Sequence, residues 1–122
     1  MSKTILAIDD DRDMLAYYQV ILADLGEVRT ALNLTEARTK LTGVDIIILD
    51  FYLEQDPETI QETVPELKKV APVLLCSGVQ DIGVPVIGVE SGIDGYWNKA
   101  DDADKLRSLI RSKFGRNPAP ER

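Results

Sequence analysis

Two periodicities alternate along this chain. Short apolar runs fill residues 5–8, 44–49 (VDIIIL) and 73–76 (VLLC). Continuous runs of this length, rich in β-branched residues and leucine, predict strands covered on both faces. Residues 27–31 alternate polar with apolar and predict an edge strand, and residues 95–97 predict a fifth strand with little pattern of its own. Between the runs the spacing becomes helical. Met14, Tyr18, Ile21, Leu22 and Leu25 recur on one face, with Gly26 placed to end that helix. Asn33 followed by Glu36 reads as a capping box before Ala37 and Leu41. Asp56-Pro57 reads as a cap and first-turn proline, and Pro65 is expected to kink or split the helix that follows. Ala103, Leu106, Ile110 and Phe114 form the stripe of a last helix. The stretch VQDIGVPVIGVESG, residues 79–92, carries Gly83, Pro85 and Gly88 where the alternation demands a helix, so a short or irregular one is expected.

Strands alternating with helices predict an α/β domain with a doubly wound parallel sheet. Ligands of such sheets bind outside the carboxyl ends of the strands, near the point where strand order reverses. Asp9, Asp10 and Asp11 follow the first run, Asp50 the third, Ser77 the fourth and Lys99 the fifth. All are therefore expected on one rim.

Composition narrows the chemistry. At 122 residues the chain fits one domain. Its net charge of −7 argues against nucleic acid as a direct ligand, because phosphate backbones recruit basic patches. With no histidine, Ser-His and Cys-His nucleophile pairs are excluded, as is a phosphohistidine relay within the chain. The one cysteine, Cys76, lies in an apolar run and reads as a buried core thiol. Neither a signal peptide nor a membrane span is visible, so a cytoplasmic location with no membrane partner is expected. Residues 1–115 are expected to form the domain, and the polar, proline-rich residues 116–122 a tail or the start of a linker.

Each rim residue alone has an ordinary explanation. An aspartate after a strand commonly caps the next helix, as Asp11 is expected to do. A serine there is commonly a turn residue, and a lysine a solvated charge. An acid pair, a further acid, a hydroxyl and a lysine at four strand ends form a more demanding coincidence. That set suits phosphoryl transfer to a carboxylate. Neighbouring acids raise one another's pKa unless a cation neutralises them, and oxygen ligands of this kind suit Mg²⁺. Asp50 would be the nucleophile, with Lys99 and the Ser77 hydroxyl stabilising charge on the phosphoryl oxygens.

Taken in order, AIDDD, IIILD, LLCSG and GYWNK resemble the motifs of response-regulator receiver domains of two-component signalling, over residues 4–114. The resemblance implies a five-stranded flavodoxin-like sheet in the order 2-1-3-4-5. It implies Asp50 as phosphoacceptor, with Mg²⁺ held by Asp10, Asp50 and the backbone carbonyl of Tyr52, and Asp9 helping through water. It further implies a histidine kinase or histidine phosphotransfer protein as donor and an output partner. A Ser77–Tyr96 switch would bury a previously exposed ring, and the usual partner face comprises the fourth helix, fifth strand and fifth helix. Such a domain catalyses only its own phosphorylation and dephosphorylation.

Two departures stand out. Ala100 follows Lys99 where the family usually has proline after a cis bond, so the chain is expected either to bear a non-proline cis bond at about 3 kcal/mol or to run trans with Lys99 placed differently. Tyr52, two residues past Asp50, would lie over the site and hinder attacking water. Two other readings compete. One is a receiver-shaped interaction module that is never phosphorylated. The other is a phosphatase resembling the haloacid dehalogenase group, with Asp9 and Asp11 as its Asp-x-Asp.

Overall fold

Strand side chains point alternately to opposite faces, and here that alternation sorts the core into two layers. In the computed structural model, which describes residues 3–53, 60–78 and 83–114, five strands form one parallel sheet. They are β1 (Thr4–Ile8), β2 (Glu27–Ala31), β3 (Ile46–Asp50), β4 (Val73–Ser77) and β5 (Gly95–Asn98), in the order β2-β1-β3-β4-β5. Every residue of β1, β3 and β4 is buried. The edge strands β2 and β5 are only partly covered, as their mixed sequences anticipate.

The helices are α1 (Arg12–Ile21), α2 (Leu34–Arg38), α3 (Ile60–Lys68), α4 (Gly83–Ser91) and α5 (Ala103–Phe114). On one face Ile5, Ala7, Ile46, Ile48, Leu74, Cys76 and Trp97 pack with Leu15 and Tyr18 of α1 and Leu106 and Ile110 of α5. On the other, Leu6, Ile8, Ile47, Leu49, Val73 and Leu75 pack with Leu34 and Ala37 of α2 and Val64 and Leu67 of α3. Arg107 ties α5 to the end of α1, donating to Ile21 O at 2.5 Å and to both carboxylate oxygens of Asp24 at 2.6 and 2.8 Å. No helix among the described residues is long and apolar enough to cross a membrane.

Several local expectations need correction. The fourth helix is neither lost nor shortened: α4 runs nine residues, as long as α3. Pro85 falls in its first turn, where a backbone N–H has no intrahelical acceptor and its absence costs nothing. Gly88 answers to packing, since a Cβ there would stand 2.8 Å from Leu75 Cδ2 and 2.6 Å from Ile93 Cδ1. Gly92, at φ +95, ends the helix in a Schellman motif, with Ile93 N–H bonded to Gly88 O and Gly92 N–H to Val89 O.

Gly26 does not end α1, which leaves helical geometry at Leu22. It is a close-approach glycine: a Cβ would lie 2.3 Å from Lys3 O, which accepts the Glu27 N–H at 2.8 Å. Pro65 does not split α3, because it lies on the exposed side, where water can reach the carbonyl it leaves unbonded. Asn33 Oδ1 accepts the Glu36 N–H at 2.8 Å as the capping box requires, but the Glu36 carboxylate reaches back to Leu32 N–H, and α2 ends before Leu41. Asp56, Pro57 and the tail expected at residues 116–122 lie outside the described residues.

Replacing Gly26 with alanine should therefore destabilise the fold by about 1–3 kcal/mol, the usual cost of overpacking. Urea unfolding would check it; an unchanged midpoint would mean that β1 and β2 do not need this approach.

Candidate functional site

Strand parity decides which side chains meet at the rim. Asp50 continues the Ile46–Ile48 face of β3, Asp9 follows Ala7 in the same sense, and Lys99 follows Trp97. These three share the α1/α5 side. Ser77 has the opposite parity, following Val73 and Leu75, and Tyr96 packs against that second layer.

The acids form one cluster. Carboxylate oxygens of Asp9, Asp10 and Asp50 lie within 4.8 Å of one another. Asp9 is fully buried and Asp50 is 5 % exposed. Lys99 bridges the two, its Nζ 2.7 Å from Asp9 Oδ2 and 3.2 Å from Asp50 Oδ1. Asp9 Oδ1 accepts the Asp11 N–H at 2.9 Å, while Oδ2 receives no well-directed hydrogen bond beside its ion pair with the ammonium. Asp11 turns outward and caps α1, accepting the Asp13 and Met14 N–H groups at 2.9 and 3.4 Å. That employment removes it from the cluster and weakens the Asp-x-Asp reading.

Burying these carboxylates is costly. Asp50 is pushed up to about 6, first by burial and then by the charge of Asp9, against the opposing pull of Lys99 and of a hydrogen bond from the Tyr52 backbone. Burial by itself would lower Lys99, but its bond to Asp9 and the charges of both acids prevail and raise it. Beneath the acids the floor is apolar. Tyr18 is 1 % exposed, and its hydroxyl donates to Cys76 Sγ at 3.6 Å. Burial lifts the Tyr18 hydroxyl far above its usual range and pushes the Cys76 thiol up to about 12, so neither ionises.

Ser77 is fully buried at the end of β4, and Tyr96 is half-buried. The ring expected to be exposed is thus already partly covered. Tyr52 is 44 % exposed, its ring set edge-on to Phe51 at 4.7 Å between centroids. The Lys99–Ala100 bond is trans, yet Lys99 still reaches both acids. Sequence reasoning missed the Tyr18–Cys76 bond, since tyrosine at that helical spacing reads only as core. Three clustered carboxylates, one with a buried oxygen lacking a directed donor, form a hard-oxygen set that fits a divalent cation such as Mg²⁺.

Comparison with known proteins agrees with this fold. No family model matches the chain. A protein of Rickettsia bellii named as an NtrX-like response regulator is 31 % identical over 113 residues, covering 88 % of this chain; the chain spans only 24 % of that relative's length. Among solved structures, the BeF3-activated DrrB receiver domain is 24 % identical at a TM-score of 0.81, covering 95 % of this chain and 100 % of that one. A two-component response regulator from Clostridium difficile is 21 % identical at a TM-score of 0.84, covering 96 % and 99 %. NtrX from Brucella abortus, solved with ADP, is 25 % identical at a TM-score of 0.79, covering 93 % of this chain and 27 % of its own.

The raised Asp50 has a thermodynamic consequence. Folding holds a proton that the unfolded chain releases near pH 4, so the native state loses stability as pH rises through about 6. In cation-free buffer, Asp50→Asn should gain on wild type by about 2 kcal/mol between pH 4 and pH 7. Urea denaturation of both proteins across that range tests this; parallel pH profiles would refute it.

Proposed function

We propose that this chain, a response-regulator receiver domain in sequence and fold, accepts a phosphoryl group on Asp50 and signals through the resulting change at its rim. The observation that carries the reading is Lys99 bridging buried Asp9 and Asp50, with Asp10 beside them. A solvated lysine or a set of helix caps would have no reason to converge so.

In this reading an Asp50 carboxylate oxygen attacks phosphorus as the phosphorus–nitrogen bond to a donor histidine breaks, and the histidine leaves with its proton. The chain has no histidine, so the donor is a kinase or a histidine phosphotransfer protein. Asp9, Asp10 and Asp50, with the Tyr52 carbonyl, would hold Mg²⁺, which would offset the acids' mutual repulsion and the charge on the phosphoryl oxygens. Lys99 is already beside Asp50 and can follow the charge onto the acyl phosphate. The Ser77 hydroxyl supplies a further donor. The phosphate adds roughly two negative charges where a carboxylate stood. Drawing Ser77 toward it would open space for Tyr96 to complete its burial, altering the surface of α4, β5 and α5 for an output partner.

Incubation with Mg²⁺ and acetyl phosphate should add one phosphoryl mass to the intact protein and none to Asp50→Asn. A silent interaction module would gain nothing from any donor, and a phosphatase would turn over a generic phosphate ester. Tyr52 stands as an exposed ring two residues from the acceptor. Replacing it with Asn should shorten the acyl-phosphate half-life several-fold, as followed by loss of the added mass; an equal half-life would show that the ring does not shield the site.

A further inference from the structure

Lys99 directly follows the edge strand β5, with β4 between that strand and Asp50 and with both β4 and β3 between it and Asp9. Strands lie about 4.8 Å apart, so a lysine stem reaches across only if its backbone is set at the right place and angle. Three backbone restraints surround it. Lys99 N–H extends the ladder to Ser77 O at 2.9 Å. Asn98 Oδ1 accepts the Ala100 N–H at 2.8 Å, and Asn98 O accepts the Asp101 N–H at 2.9 Å. One asparagine thus closes the turn through both its side chain and its main chain, with Lys99 held inside the loop. The stem then runs inward past Gly78, where a Cβ would stand 3.7 Å from Lys99 Cδ.

We infer that Asn98 is a positioning residue for Lys99: its side-chain carbonyl, by fixing the turn over residues 98–101, aims the ammonium at Asp9 and Asp50. An asparagine at a strand end does this because its side-chain carbonyl stands in for a backbone acceptor and takes the N–H two residues on. The inference concerns the lysine's placement; its consequence for phosphorylation rests on the function proposed above.

Two readouts separate the two claims. In cation-free buffer, acylation of Lys99 by a limiting amine-reactive ester, quantified by peptide mass spectrometry, reports whether the ammonium is engaged. Asn98→Ala should raise Lys99 labelling several-fold while leaving other lysines unchanged. Asn98→Asp and Asn98→Ser, which keep an acceptor at this position, should stay near wild type. With Mg²⁺ and acetyl phosphate, Asn98→Ala should slow phosphorylation several-fold, and should add no further loss to Lys99→Gln. Thermal melts of each variant identify any that fails to fold, in which case the Asp and Ser variants carry the comparison against wild type. Unchanged Lys99 labelling in folded Asn98→Ala, or labelling raised equally in all three variants, would overturn the inference. A wild-type protein that takes no phosphate from any donor would overturn the proposed function while leaving the labelling result to decide the placement.

Discussion

The contact on which the rim depends is one ammonium shared by two buried carboxylates. Two like charges less than about 5 Å apart repel by roughly 3 kcal/mol or more at an effective dielectric of 20. Lys99, at 2.7 and 3.2 Å, offsets that repulsion and lets Asp9 and Asp50 stand side by side. The sheet order makes this possible at a distance. β1 and β3 are neighbours, so their terminal acids meet directly, while the cation arrives from the far edge across β4. A polar cluster that depends on a residue from an edge strand can be rearranged without unfolding the core beneath it.

Strand parity then divides the rim into two sets of groups. Asp9, Asp50 and Lys99 face the α1/α5 layer, whereas Ser77 and Tyr96 belong to the other. The groups that would handle charge are thus separated by the sheet from those that would move in response. They connect through the ends of β4 and β5, where Ser77 pairs with Asn98, Leu75 pairs with Tyr96, and Ser77 O holds the Lys99 N–H. Lys99 is thereby tied to the same short ladder that holds Ser77 and Tyr96.

Much of this arrangement was legible in the sequence because burial on both faces leaves a plain mark. VDIIIL and VLLC admit few readings, and the acids after them mark the carboxyl ends. What the sequence hid was close packing between distant segments. Gly26 and Gly88 look like helix breakers, yet each is small because Lys3 or Leu75 approaches it, and linear spacing does not encode such approaches. Pro85 misled for the opposite reason: its effect depends on its place within the helix, which linear spacing does not give. The turn at Asn98 leaves no mark of its own, because an asparagine at a strand end reads as an ordinary turn residue and its bond to the Ala100 N–H appears only in the fold.

The floor of the site explains why its acids are poised rather than merely clustered. Tyr18, Cys76 and Trp97 fill the space under Asp50 with a nearly dry layer, and Tyr18 meets its one polar obligation internally through the Cys76 sulfur. A hydroxyl that needed water there would admit it beside the carboxylates, and Asp50 would lose the desolvation that holds its proton affinity up. The same dryness strengthens every charge–charge term above it, including the attraction to Lys99. The raised proton affinity of Asp50 and its attraction to Lys99 are then two results of one apolar floor.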